Sequence, residues 1–152
     1  MSPPKRELKY PHQIIDWLAE WGTELKVPGS MILIGSGALL WHAHEKGIDM
    51  PLSESSMDVD PITSDDCVAE LAYRAIIGSE FEMTHGWHVN LMPLSVLSEF
   101  PSDWEARAQK SKYGKLSVTI PAAKDLLVPK LKRGEPRDIK HAEWAKQIGL
   151  ET

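Results

Sequence analysis

LIGSGALLWH (residues 33–42) joins a short apolar run to a helical pattern through Gly35, Ser36 and Gly37. A strand that enters a helix through small residues presents backbone N–H groups at the helix start, a place suited to phosphate. Two classes of protein open this way. In a dinucleotide-binding turn a third glycine follows Gly-x-Gly-x-x and permits close helix–strand packing, but that position here is Leu40. The acidic residue that holds the ribose in such proteins has a counterpart in Asp58. Asp58 does not stand alone, because Asp60 follows it on the same predicted strand, residues 57–62. A spacing of two puts both carboxylates on one face, where they repel unless a cation joins them. The pair asks for a divalent metal, and oxygen ligands of this kind suit Mg²⁺, which also binds nucleotide phosphates.

The rest of the chain alternates helical and strand patterns. Residues 11–25 read as an amphipathic helix carrying Ile14, Ile15, Leu18, Trp21 and Leu25 at helical spacing. Residues 31–34 form a buried strand, 38–45 a helix, and 46–56, with Gly47, Pro51 and three serines, a loop. A helix follows over 65–77, capped by Ser64 or Asp65, then strands over 87–92 and 115–120. Helices over 121–131 and 136–148 are separated by Gly134, Glu135 and Pro136. Interleaving of this kind predicts an α/β or α+β domain, and 152 residues suffice for one domain with one core, residues 1–152.

Composition narrows the classes further. With 42% hydrophobic and 26% charged residues the chain reads as an ordinary globule. It has no apolar run of membrane-spanning length, and MSPPKREL lacks the apolar stretch of a signal peptide, so the expected compartment is the cytoplasm, without membrane association. Cys67 is the only cysteine, which rules out an internal disulfide and suggests a small core residue. Charge is two-sided: residues 105–140 hold ten Lys and Arg against four Asp and Glu, a balance of +6 that leaves −11 elsewhere. A phosphate-bearing ligand suits an acidic, metal-binding half facing a basic one. His42 and His44 fall on different helix faces and share no metal, while His85 and His88 read as surface or strand-end residues. Of the six tryptophans most belong in the core, with one or two left to stack on a base or fill a partner interface.

An apolar strand, Gly-Ser, a helix and then Asp-x-Asp on the next strand is the layout of the polymerase-β type of nucleotidyltransferase fold. Gly35-Ser36-Gly37-Ala38-Leu39 resembles the first motif of the AbiEii-like nucleotidyltransferases, and Ser56-Met57-Asp58-Val59-Asp60 the second. Leu126-Leu127-Val128-Pro129-Lys130-Leu131 and Arg137-Asp138-Ile139-Lys140-His141-Ala142 resemble the third and fourth. The resemblance implies a mixed sheet flanked by helices, with further helices at the C-terminal end. It implies that Gly35 and Ser36 meet a nucleoside triphosphate through backbone N–H groups, and that Asp58 and Asp60 bind Mg²⁺ or Mn²⁺ and place the α-phosphorus for in-line attack. Lys130 would neutralise phosphate charge, Asp138 would orient Lys130 or act on the acceptor side, and Arg133 and Arg137 are further phosphate candidates.

Two departures accompany the match. Many relatives have Thr, and further on Lys, after the glycine pair, where this chain has Gly37 and Trp41. A third metal carboxylate is common on a later strand, where residues 88–92 offer Asn90, a neutral and weaker ligand. The implied activity is transfer of a nucleotide to RNA, tRNA or protein in a toxin–antitoxin or phage-defence setting, with a cognate toxin or antitoxin as partner. The competing class is a catalytically degenerate module that holds a nucleotide or a protein.

Overall fold

The computed structural model describes residues 7–150. Among them, a five-stranded mixed sheet is flanked by helices, with two helices at the C-terminal end. The chain runs α1 (Pro11–Glu24), β1 (Gly29–Ile34), α2 (Gly35–Glu45), β2 (Asp58–Ile62), α3 (Asp66–Tyr73), α4 (Glu80–His85) and β3 (His88–Val89). A 3₁₀ turn (Leu94–Glu99) then leads to α5 (Trp104–Arg107), β4 (Gln109–Tyr113), β5 (Leu116–Ile120), α6 (Ala123–Arg133) and α7 (Pro136–Gln147). The strand order is β3-β2-β1-β5-β4, with β1 antiparallel to β2 and parallel to β5. β1 is central because its alternate residues Met31 and Leu33 and its last residue Ile34 are all buried. Helix α2 is buried from Ser36 to Ala43, packed on α1 and α6, as expected of a helix that is apolar nearly all round.

Several elements differ from the sequence expectation. Helix α2 begins at Gly35 rather than residue 38, so the small residues form its first turn instead of a loop before it. Helix α3 ends at Tyr73 and not at residue 77, because the carbonyl of Ala75 leaves the helix to accept from Val89 N at 2.8 Å. Strand β3 is two residues long: Asn90 and Met92 donate to Val59 and Pro61, but Pro61 has no N–H to return, so the ladder stops. All six tryptophans are buried, which leaves none as a base-stacking surface. Cys67 is half-buried at the edge of the core, lining a surface cavity with Glu24, Lys26, Glu70 and Arg74. His42 is buried against the Pro121 carbonyl at 2.7 Å while His44 is exposed, on separate faces as predicted. His88 pairs with Glu82 and His85 stacks on Phe81. Among the described residues no helix is long and apolar enough to cross a membrane.

Helix α1 meets the hairpin of β4 and β5 through Gly22, where an added Cβ would overlap the Tyr113 carbonyl. Alanine would gain up to about 1 kcal/mol in helix propensity, but the obstacle is backbone and cannot rotate away. Gly22→Ala is therefore expected to lose about 1–3 kcal/mol net in chemical denaturation, as overpacked sites do. An unchanged midpoint would contradict this packing.

Candidate active site

The end of β1 and the middle of β2 create the site. Ile34 pairs in register with Asp60, so the next residue, Gly35, passes directly beside the Asp60 side chain. Gly35 has φ +77°, a left-handed conformation that glycine adopts freely, and any Cβ there would run into Asp60 Oδ2. Glycine at this position thus meets two demands, the turn into α2 and the approach of a carboxylate. No side chain caps α2, whose N-cap is Ile34, so its first-turn N–H groups keep their capacity for an anion.

Val59 is fully buried, and Asp58 and Asp60 lie half-buried on the opposite face of β2. The Asp60 carboxyl is pushed up to about 7, chiefly by lost hydration and then by the negative charge of Asp58. A hydrogen bond from Asn90 and the charges of Lys130 and Arg133 oppose the shift without cancelling it. Asn90 is placed by its backbone bond to Val59 and donates Nδ2 to Asp60 Oδ1 at 3.3 Å. It lies beside Asp60, and its amide nitrogen faces that carboxyl.

Lys130, Arg133 and Asp138 come together where α6 turns into α7. Gly134, with φ +62°, ends α6, and Pro136 opens α7 with its fixed φ. The buried Asp138 accepts from Arg133 at 2.9 Å and lies 3.7 Å from Lys130 Nζ. Lys130 is itself buried, and its ammonium is held below the usual lysine range by lost hydration, with Asp138 and Asp60 pulling the other way. Arg137 is exposed on the first turn of α7.

Sequence reasoning assigned no role to two residues here. Ser56 accepts from the Ser36 hydroxyl at 2.9 Å and donates to the Asp58 carbonyl at 3.0 Å, tying α2 to β2. The Ser36 hydroxyl hydrogen is therefore engaged, and its backbone N–H is the donor left for a ligand. His141 is buried beside Lys130, and its ring is pushed down to about 4 by burial and by the lysine charge. Its spacing of three from Asp138 on one helix face was the available signal.

Asp58 and Asp60 are the residues that could hold a divalent cation. Two carboxylates share a face, and burial and then the charge of Asp58 raise the proton affinity of Asp60. Among the described residues no group of three or more His, Cys, Asp or Glu converges, so water and phosphate oxygens would complete the coordination shell.

A mixed sheet with an Asp-x-Asp strand beside a glycine-started helix, faced by a buried lysine, has the organisation of a nucleotidyltransferase domain. The chain belongs to the nucleotidyltransferases of unknown function, DUF6036, whose family pattern matches residues 13–150. No curated protein and no solved structure gives a significant match.

Proposed function

We propose that this chain binds a nucleoside triphosphate with Mg²⁺ or Mn²⁺ and transfers its nucleotide to a hydroxyl of RNA, tRNA or protein. The proposal includes a single domain over residues 1–152, acting in the cytoplasm as an AbiEii-like member of a toxin–antitoxin or phage-defence system. One observation carries the reading: the Asp60 carboxylate is packed against the Gly35 backbone beside Asp58 and is under-compensated by fixed positive charge. Asp58 and Asp60 would hold the metal, which when bound supplies positive charge to the phosphates. The N–H groups of Gly35 and Ser36 take phosphate oxygens at the start of α2. Lys130 donates to the triphosphate from the other side, with Asp138 and Arg133 holding the basic wall in place. The acceptor hydroxyl oxygen bonds to the α-phosphorus and releases its proton to solvent, the bond from that phosphorus to the β-bridging oxygen breaks, and pyrophosphate leaves with the electron pair.

Incubation with each α-labelled triphosphate, Mg²⁺ and total RNA or lysate tests the reading. Label should move to an acceptor with wild type and not with Asp58→Asn. Absence of transfer with every triphosphate would support the second reading, a non-catalytic module that holds a nucleotide or a protein.

That second reading is favoured by Asn90, which leaves the acidic pair without a third carboxylate among the described residues. Asn90→Asp is expected to strengthen Mn²⁺ binding in calorimetry about tenfold, since affinity at such sites follows ligand charge, and to raise or create transfer. Unchanged affinity would place residue 90 outside the coordination shell.

A further inference from the structure

We infer that His141 is a positioning residue for Lys130: its imidazole accepts one ammonium N–H and so directs the others toward the phosphates. The inference rests on the proposed reading that Lys130 meets a triphosphate.

A buried ammonium has three N–H donors to satisfy. Asp138 Oδ1 lies 3.7 Å from Lys130 Nζ, beyond hydrogen-bond length, and the same oxygen already accepts from Arg133 at 2.9 Å. His141 Nδ1, at 3.2 Å, is within reach. The tautomer follows from the other side of the ring. His141 Nε2 lies 2.8 Å from the Glu54 carbonyl, which can only accept, so Nε2 carries the hydrogen. A neutral ring then has its lone pair on Nδ1, and Lys130 is the donor. The groups facing this pair are Asp138 on α7, Arg133 on α6, Asp60 on β2 and Arg137 at the start of α7.

The same ring joins the two walls of the site. Glu54 lies in the segment entering β2, two residues before the Ser56 that binds both Ser36 and the Asp58 carbonyl. Lys140 adds a contact from α7 to Glu54 Oε2 at 3.4 Å. Through His141, the helix pair carrying Lys130 is thus fastened to the segment that places Asp58. A histidine that merely fills space would need neither bond.

Nitrogen-15 NMR of the His141 imidazole in the folded chain tests the bond directly. In wild type Nε2 should be protonated and Nδ1 should accept, and Lys130→Met should move the Nδ1 signal while Nε2 stays protonated. An unmoved Nδ1 overturns the bond, whether or not nucleotide binds. The role is read from Mg²⁺–ATP affinity. His141→Phe, which fills the volume without polar atoms, should weaken binding about tenfold, and His141→Gln, whose amide can accept and donate, should stay within about threefold. In the Lys130→Met background His141→Phe should cost nothing further. Equal losses in both backgrounds mean a structural role and overturn the inference, as does a wild type that binds no triphosphate. If His141→Phe does not fold, an equal loss on His141→Gln in both backgrounds has the same force.

Discussion

Asp60→Asn and Asp58→Asn should each remove metal-dependent triphosphate binding, a loss of about a hundredfold or more in calorimetry with Mg²⁺ present. Groups that only support a metal ligand commonly carry 10–100-fold in metal affinity, and here a ligand would be lost from a set of two. The two variants differ in what they do to the metal-free protein. Folded Asp60 keeps its proton up to about 7, against 3.8 for an ordinary carboxyl. Between those values the native state binds the extra proton, so stability falls as pH rises through that interval. Asp60→Asn removes this slope and should make the metal-free protein more stable at neutral pH, even as binding disappears. Wild type with saturating Mn²⁺ and triphosphate should also lose the slope. Binding of triphosphate as in wild type by both variants, with or without Mg²⁺, would remove both carboxylates from the site.

Lys130→Ala should weaken triphosphate binding tenfold or more, whereas Lys124→Ala and Lys140→Ala should change it little. A charge-assisted hydrogen bond is worth roughly 1.5–3 kcal/mol, and an exposed, screened cation about 0–1 kcal/mol. Lys130 is buried, while Lys140 is exposed and pairs with Glu54 at 3.4 Å. Loss of the ammonium leaves Asp138 still bonded to Arg133, so the α6–α7 junction retains its ion pair. Lys130→Met, which keeps the stem, should reproduce the binding loss with a smaller change in melting temperature. Equal losses for all three lysines would indicate a diffuse basic surface.

The parts of this protein that could be read from the chain were those with periodic burial. The strand before Gly35, the Asp-x-Asp strand and the two C-terminal helices each bury one face or one stripe, and all were placed within a few residues. The approach of Asp138 to Lys130 was implied by the family resemblance, and Gly134 and Pro136 make the tight turn that allows it. Strand β4 was missed since QKSKY is an exposed edge whose lysines look like loop, and such charge guards an edge against pairing with another chain. Helix α4 was missed because EFEMTH has no buried residue to set a period. The start of α2 was misjudged because two glycines within three residues look like a turn, and only the register of Ile34 with Asp60 shows why Gly35 is needed. His141 and Ser56 act through contacts across 87 and 20 residues of sequence, which no local pattern encodes.

The most direct test of the central claim is a crystal structure with Mn²⁺ and a non-hydrolysable triphosphate, using anomalous scattering to locate the metal. The account predicts a peak about 2.1 Å from oxygens of Asp58 and Asp60, with phosphate oxygens at the Gly35 and Ser36 N–H groups and at Lys130 Nζ. A triphosphate bound elsewhere, such as in the cavity beside Cys67 and Arg74, with no metal between the two aspartates, would contradict it.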